Sequence, residues 1–301
     1  MINFSEIATE QPNPATAHID ELSTLDMLKV MNAEDQRVAK AIEPVLPIIG
    51  TVVDIIAERL KKGGRLFYIG AGTSGRLGIL DAVECPPTFG TEPELVTGII
   101  AGGMPAIFKA VEGAEDSTEI SRGDLNEYCF NAKDVLVGIA ASGRTPYTLS
   151  AINYAREIGA VSVSLTCSPN SPMEEAADYA ILVQPGPEVI TGSTRLKAGT
   201  AQKLVLNMLS TGTMIRLGKV YGNLMVDVKA SNKKLTERAT RIVMEATGCE
   251  RDTAVDALNT AGGRAKLAIF HIISGETMEV SQRLLDEADG YIGKALNNLK
   301  K

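Results

Sequence analysis

The stretch LFYIGAGTSG, residues 66–75, joins a short apolar run to a turn with three glycines and two hydroxyl side chains. Four consecutive residues without a polar face predict a strand that is buried on both sides, as in a parallel sheet covered by helices. The glycines predict a tight turn from this strand into a helix. This stretch therefore indicates a doubly wound α/β domain.

Similar apolar runs recur along the chain, and helical patterns separate most of them. Strands are predicted at Leu66–Ile69, Leu95–Ile100, Val135–Ile139, Val161–Thr166 and Tyr179–Val183. Helices are predicted near Arg76–Val83, Pro105–Val111, Pro146–Ile158 and Pro172–Ala177. This alternation predicts a five-stranded parallel sheet in a flavodoxin-like, three-layer, doubly wound α/β fold.

Helical patterns flank this central region on both sides. Residues 1–20 are polar and are interpreted as an arm, after which a helical pattern runs from the predicted cap Ser23 to Lys62. A long helix is predicted at Lys197–Leu217, and beyond Asn232 the pattern is helical without strands. The C-terminal helices are predicted at Glu237–Ala246, Arg251–Asn259, Arg264–Ile273 and Val280–Leu299. The predicted domains are an N-terminal arm with helices (1–50), a central α/β domain (51–230) and a C-terminal helical domain (231–301).

Composition narrows the class of protein. The 301 residues carry a net charge of -7, with 4% aromatic residues and no tryptophan, which is unlike a nucleic-acid-binding protein. Four scattered cysteines without a CxxC pair indicate reduced thiols rather than a disulfide framework. Glu6 and Glu10 precede any apolar run, so no secretory signal is expected, and no apolar stretch is long enough for a membrane helix. We therefore expect a cytoplasmic protein without membrane or nucleic-acid partners.

Three loops rich in serine, threonine and glycine follow strands of the predicted sheet. They lie at residues 70–75, 140–146 and 191–197. Because ligands bind at the carboxyl ends of parallel strands, and helix N-termini favour anions, these loops predict a phosphate site. The predicted binding residues are Gly72, Thr73, Ser74, Ser142, Gly143, Arg144, Thr145, Ser193 and Lys197.

The first loop also matches the GxGxxG pattern of dinucleotide-binding proteins. Such a site needs an acidic residue after the second strand to bind the ribose hydroxyls. Here the second strand is followed by Ala101-Gly102-Gly103, which contains no acid. A nicotinamide enzyme is therefore the weaker interpretation.

Four longer stretches carry a resemblance to a known family. The chain resembles the SIS (sugar isomerase) family of phosphosugar-binding domains and, over nearly its whole length, the family of N-acetylmuramic acid 6-phosphate etherases. The matching stretches are GAGTSGRLGILDAVECPP (70–87), EGAEDS (112–117), GIAASGRTPY (138–147) and TGSTRLKAGTAQKLVLNML (191–209). The resemblance implies that the central domain is a SIS domain. It also implies that the chain is a lyase that cleaves the D-lactyl ether of N-acetylmuramic acid 6-phosphate in cell-wall recycling.

The same resemblance implies two catalytic glutamates, Glu84 and Glu115, which act as acid and base. It implies no metal or redox cofactor, and it implies a homodimer with the site near the subunit interface. Arg76, Arg144, Arg195 and Lys197 are candidate partners of the lactyl carboxylate, and Lys197 is slightly favoured because it opens the long helix. Two alternatives stay open at this point: a SIS aldose–ketose isomerase of a sugar phosphate and a regulatory sensor of sugar phosphates.

Overall fold

The computed structural model describes residues 7–228 and 233–299, the side chain of Lys233 excepted. The chain divides into two compact units. The larger comprises the residues up to 83 together with 94–210, and the smaller comprises 84–93 together with the residues from 211 onward. The predicted domain boundaries at residues 50 and 230 are not tested by this division into compact units, and they stay predictions.

The larger unit is built on one parallel five-stranded sheet. Its strand order is β2-β1-β3-β4-β5, so the direction of winding reverses between β1 and β3. Gly70 at the end of β1 pairs with Ile100 of β2 and with Ile139 of β3, which brings the carboxyl ends of three strands level. The strands are β1 (Leu66–Gly70), β2 (Val96–Ile100), β3 (Val135–Ile139), β4 (Val161–Thr166) and β5 (Tyr179–Leu182). The predicted α/β fold is confirmed.

Helices cover the sheet because its strands offer apolar side chains on both faces. β1 and β3 are buried along their whole length, α3 packs on β5, and α7 packs on β1, β3 and β4. Ser23 caps the first helix, as predicted, since its Oγ accepts a hydrogen bond from the N–H of Asp26. The helices that begin in this unit are α1 (Thr24–Asp35), α2 (Arg37–Ile42), α3 (Leu46–Lys61), α4 (Gly72–Phe89), α5 (Gly103–Phe108), α6 (Ile120–Glu127), α7 (Pro146–Glu157), α8 (Pro172–Ala176) and α9 (Lys197–Arg216).

Two features of these helices differ from the sequence prediction. α6 was not predicted, because its sequence ISRGDLNE has few apolar residues and an internal glycine. α4 is longer than predicted at both ends and continues through Pro86 and Pro87. The prolines lie in its last turn, where the N–H of Gly90 still donates to the carbonyl of Pro86.

The described part of the N-terminal arm is anchored by a few buried residues, although several of its other residues are exposed. Short 3-10 turns form at Ala8–Glu10, Pro14–Thr16 and Ile19–Glu21. Ile7 and Asn13 are buried, and the side-chain amide of Asn13 donates to Glu34 Oε2 at 3.0 Å and to the carbonyl of Pro187 at 3.2 Å. Further 3-10 turns lie at Glu43–Val45, Pro93–Leu95 and Ala114–Asp116.

The smaller unit is helical apart from one short hairpin. The hairpin pairs β6 (Val220–Tyr221) with β7 (Leu224–Met225) in antiparallel fashion. The predicted single helix at 280–299 is wrong, because Asp289 and Gly290 both have positive φ and separate two helices. The helices are α10 (Lys233–Thr247), α11 (Arg251–Thr260), α12 (Ala265–Ser274), α13 (Met278–Glu287) and α14 (Ile292–Leu299). In the described part of the chain, no helix has both the length and the apolar character of a membrane span.

Candidate active site

A cavity of about 350 Å³ opens where β1 and β3 end, at the point where the sheet reverses its winding. We call it the loop cavity. This is the position at which doubly wound sheets bind ligands, because the loops there diverge to opposite faces. Its lining residues are Ile7, Glu10, Ala71, Gly72, Thr73, Ser74, Glu115, Asp116, Ile139, Ala140, Ala141, Ser142, Arg144, Thr145, Pro146 and Thr194.

The first loop places the start of α4 at the cavity. Gly75 lets this helix approach the strand closely, since a Cβ there would lie 2.6 Å from the carbonyl oxygen of Gly70. Ser74 is buried, and its hydroxyl donates to Gln202 Oε1 at 2.9 Å. Gln202 Nε2 is buried and has no hydrogen-bond partner within the described chain. The free N–H groups of this helix start, together with two hydroxyl side chains, suit an anion.

The second loop adds another helix start and a guanidinium group. α7 begins at Pro146, directly after the lining residues Arg144 and Thr145. The backbone N–H of Arg144 donates to Ser142 Oγ at 3.3 Å. Arg144 Nε is buried, and no described residue accepts its hydrogen. A buried N–H without an acceptor favours an anionic ligand that supplies one.

Gly143 shapes this loop without lining the cavity. Its φ is +65°, which favours glycine. A Cβ at this position would lie 2.3 Å from Ser171 Oγ and 2.5 Å from Ser171 Cβ, so a larger residue has no room. Gly143 therefore shapes the loop, and its predicted contact with the ligand stays a prediction.

The third loop and the N-terminal segment complete the lining. Thr194 lines the cavity, whereas the predicted neighbour Ser193 does not. Ile7 and Glu10 line it as well, although neither is a predicted site residue. Glu10 lies against the third loop, because a Cβ on Gly192 would be 2.8 Å from Glu10 Oε2. A polar arm gives no periodic signal, so its docking here could not be read from the sequence.

Glu115 lies between the loop cavity and a second, smaller cavity. It belongs to the 3-10 turn Ala114–Asp116, is exposed, and lines both spaces. We call the second space, of about 200 Å³, the alanine cavity. Its lining residues are Ala71, Gly72, Arg76, Ala101, Ala106, Ala110, Val111, Glu112, Gly113, Ala114 and Glu115. Among the residues that the structure describes, no group of three or more His, Cys, Asp or Glu is arranged to hold a metal ion.

Comparison with known proteins gives matches over most of the chain. Residues 47–156 match the glucokinase regulatory protein N-terminal SIS domain, residues 128–212 the SIS domain, and residues 222–262 the C-terminal lid domain of glucokinase regulatory protein. The N-acetylmuramic acid 6-phosphate etherase of Photobacterium profundum is 58% identical over 98% of both chains. The proteins of that name from Photorhabdus laumondii (56%, 99% of both chains) and Aeromonas hydrophila (57%, 97% of this chain and 98% of the relative) are similar. The chain belongs to the N-acetylmuramic acid 6-phosphate etherase family.

Membership of the etherase family confirms the resemblance that the loop sequences carry. The matching SIS regions include all the strands of the parallel sheet and the three loops. A solved structure, a phosphoheptose isomerase from Francisella tularensis, matches at only 18% identity and a TM-score of 0.46 over 64% of this chain and 98% of its own. That likeness is too low for site geometries to be compared.

Lys197 does not contact the loop cavity of this etherase-family chain, contrary to the sequence prediction. Its side chain is fully buried, and its Nζ pairs with Glu34. Its backbone N–H donates to Glu188 Oε2 at 2.8 Å. Burial raises the pKa of Glu34, but hydrogen bonds from Lys197, Asn13 and Arg37 outweigh burial and leave this pKa below its ordinary value. The ion pair between Lys197 and Glu34 therefore links the start of α9 to α1.

Glu84, the second glutamate expected for an etherase, lines neither cavity. It lies on α4, twelve residues after Gly72, and its side chain is exposed. Leu80 and Val83, which precede it on the same helix, are exposed to 49% and 57%. The structure thus brings Glu115 together with the first two serine- and glycine-rich loops, whereas Glu84 is an exposed side chain with exposed apolar neighbours on its own helix.

Proposed function

We propose that this etherase-family chain is a carbon–oxygen lyase that acts on N-acetylmuramic acid 6-phosphate. The products are N-acetylglucosamine 6-phosphate and D-lactate, and the reaction belongs to cell-wall recycling in the cytoplasm. The observation that carries this proposal is the identity of 56–58% over almost the whole length to relatives named N-acetylmuramic acid 6-phosphate etherase. The cavity at the end of the sheet supports it, because its lining suits a phosphosugar.

The phosphate group of the substrate is proposed to bind in the loop cavity. Its contacts there are neutral donors from two helix starts, with one guanidinium group beside them. Dianionic phosphate is favoured at such positions by the free N–H groups and by the helix dipoles. Gly143 sets the backbone conformation of the second loop. Ser193 directly precedes the proposed contact Thr194 in the third loop. The proposed contacts are Gly72, Thr73, Ser74, Ser142, Arg144, Thr145 and Thr194.

The proposed reaction is an elimination followed by the addition of water. Glu115, at the junction of the two cavities, removes the proton from C2 of the ring-opened sugar, whose aldehyde makes that proton acidic. The C3–O bond to the lactyl group breaks, a C2–C3 double bond forms, and an acid protonates the leaving lactyl oxygen. Water then adds its hydroxyl to C3 and a proton to C2. Each acid or base contributes about 10²–10⁴-fold when it is well placed.

Glu84 is proposed to be the acid, supplied to the loop cavity by a second copy of the chain. Its exposed position on α4, and its absence from the lining of both cavities, support action on a partner subunit. Leu80 and Val83 give the same helix the apolar surface that a subunit interface needs. The protein is therefore proposed to be a homodimer with its sites near the subunit interface.

The release of D-lactate tests the proposed function. Purified protein is incubated with N-acetylmuramic acid 6-phosphate, and D-lactate is measured enzymatically. The Glu115→Gln variant should lose at least 10²-fold in turnover, whereas Glu119→Gln, an exposed glutamate on the same segment that lines neither cavity, should stay near wild type. Sugar-phosphate binding without lactate release would instead support an isomerase or a sensor.

Mixing two inactive variants tests the role of Glu84. Glu84→Gln and Glu115→Gln subunits are unfolded together, refolded and assayed. If Glu84 acts on the partner subunit, each mixed dimer contains one intact site, and up to about a quarter of wild-type activity should return. If both glutamates act within one chain, no site is intact and the mixture should stay inactive.

A further inference from the structure

The alanine cavity is a small space beside Glu115 whose wall is part polar and part apolar. Its lining includes five alanines and Val111, and its polar surface slightly exceeds its apolar surface. At about 30 Å³ for each water molecule, its volume corresponds to about seven waters. That is enough for a substituent of a sugar, such as an acetamido or a lactyl group. Arg76 is the one positively charged residue in its lining.

The two cavities form one continuous binding region, because they share Ala71, Gly72 and Glu115. A sugar whose phosphate is held by the loops and whose C2 faces Glu115 therefore directs a neighbouring substituent toward the alanine cavity. Two substituents qualify on chemical grounds: the acetamido group on C2 and the lactyl group on C3. The charge of the lining distinguishes between them.

The guanidinium group of Arg76 is held rigidly at this cavity. Its Nε donates to the carbonyl of Ile107 at 2.9 Å, and its Nη2 donates to the carbonyl of Ala106 at 2.8 Å. An arginine side chain has five N–H donors, so these two bonds leave donors for a ligand. Because its orientation is fixed by backbone groups, little side-chain entropy is lost when an anion binds.

We propose that the alanine cavity binds the lactyl group of the substrate, with Arg76 as the partner of its carboxylate. The inference rests on the proposed function. A carboxylate gains a charge-assisted hydrogen bond from Arg76, which the neutral acetamido group cannot match, and the lactyl methyl group meets alanine side chains. Glu112 and Glu115 also line the cavity, and their carboxylates repel the carboxylate of the lactyl group. Glu112 is exposed, and Glu115 becomes neutral when it takes the C2 proton, so the opposition falls as the ether bond breaks.

Comparing sugars with and without the lactyl group tests this assignment. In the Glu115→Gln background, which does not turn the substrate over, Arg76→Gln should weaken equilibrium binding of N-acetylmuramic acid 6-phosphate by roughly tenfold or more, while binding of N-acetylglucosamine 6-phosphate changes less than about twofold. The matched control is Arg195→Gln, an exposed arginine of the third loop that lines neither cavity, and it should leave both affinities unchanged. Equal weakening for both sugars, or no weakening, would overturn the proposal.

A second variant covers the case in which Arg76→Gln disturbs α5, whose carbonyl groups Arg76 holds. Ala110→Leu fills the cavity from an exposed position and keeps Arg76 in place. It should also weaken binding of the lactyl sugar selectively. If either variant instead weakens binding of N-acetylglucosamine 6-phosphate more than binding of glucosamine 6-phosphate, the acetyl group occupies the cavity and the proposal is wrong.

These binding measurements do not depend on turnover. A wild-type protein that releases no D-lactate would contradict the proposed function by itself. In that case a loss of affinity in Arg76→Gln that is confined to the lactyl sugar would still support the cavity assignment. Lactate release together with unselective losses would reject the assignment and leave the proposed function standing.

Discussion

Gly143→Ala should destabilise the larger unit strongly, for two separate reasons. The residue has a φ of +65°, and a left-handed conformation costs a non-glycine residue about 1–2 kcal/mol. The added Cβ would also lie 2.3 Å from Ser171 Oγ, and overpacking of this kind typically costs about 1–3 kcal/mol. The expected loss is therefore about 2–5 kcal/mol.

Thermal unfolding with a matched control separates the two contributions. Gly159 has a φ of +79°, but its nearest contact to an added Cβ is an ordinary 3.9 Å, to Ala132. Gly159→Ala should therefore show only the conformational cost. At about 2–4 °C per kcal/mol, Gly143→Ala should melt roughly 4–20 °C below wild type and Gly159→Ala roughly 2–8 °C below it. Equal melting temperatures for the two variants would refute the argument from crowding.

A double variant tests the same contact directly. Ser171→Gly removes the two nearest of the three atoms that the new Cβ would meet and leaves Thr166 Cγ2 at 3.0 Å, at the cost of the cap in which Ser171 Oγ accepts from the N–H of Glu174. Replacing a capping serine with glycine costs only a few tenths of a kcal/mol. In the Ser171→Gly background, the cost of Gly143→Ala should fall toward that of Gly159→Ala. An unchanged cost would show that Ser171 is not the obstacle.

Three further predictions concern buried polar groups. Gln202→Glu places a carboxylate behind Ser74, and its negative charge should repel the phosphate group, so steady-state kinetics should show KM raised about tenfold or more with kcat little changed; an equal fall in kcat would contradict this. Lys197→Met leaves Glu34 buried with only the largely exposed Arg37 as a cationic partner, and it should lower the free energy of unfolding, measured in urea at pH 7, by about 3 kcal/mol. Because the folded-state pKa of Glu34 is lowered, the wild-type protein should lose this contribution as the pH falls from 4.5 through that lowered pKa. Burial raises the pKa of Cys167 to about 12, so a thiol reagent at pH 8 should modify this cysteine only after unfolding, and rapid labelling of the folded protein would contradict its burial.

The sheet could be predicted from the sequence because its signal is local. The strands Val135–Ile139 and Val161–Thr166 have the predicted bounds, since each is apolar on both faces and ends at a polar turn. The position of the ligand cavity followed from strand order and loop composition together. By contrast, α6 has a weak apolar pattern, and its helical state depends on packing against α7.

Two residues, one wrongly selected for the site and one missed, depend on contacts between distant parts of the chain. Lys197 looks like a ligand-binding lysine in a polar loop, but Glu34, which pairs with it, is 163 positions away in the sequence. Glu10 reaches the cavity because Asn13 fastens the N-terminal segment to Glu34 and to the carbonyl of Pro187. No local pattern contains these pairings, so only the folded structure could assign the two residues.

The lining of the loop cavity has a consequence for how substrate arrives. Its charged residues are three carboxylates, Glu10, Glu115 and Asp116, and one guanidinium group, Arg144. A basic phosphate site attracts anions from a distance and loses that attraction as salt screens it. In the proposed binding mode, short-range neutral dipoles and Arg144 hold the phosphate, while the three carboxylates repel an approaching anion. The association rate should therefore not fall with ionic strength, and added salt should raise it modestly.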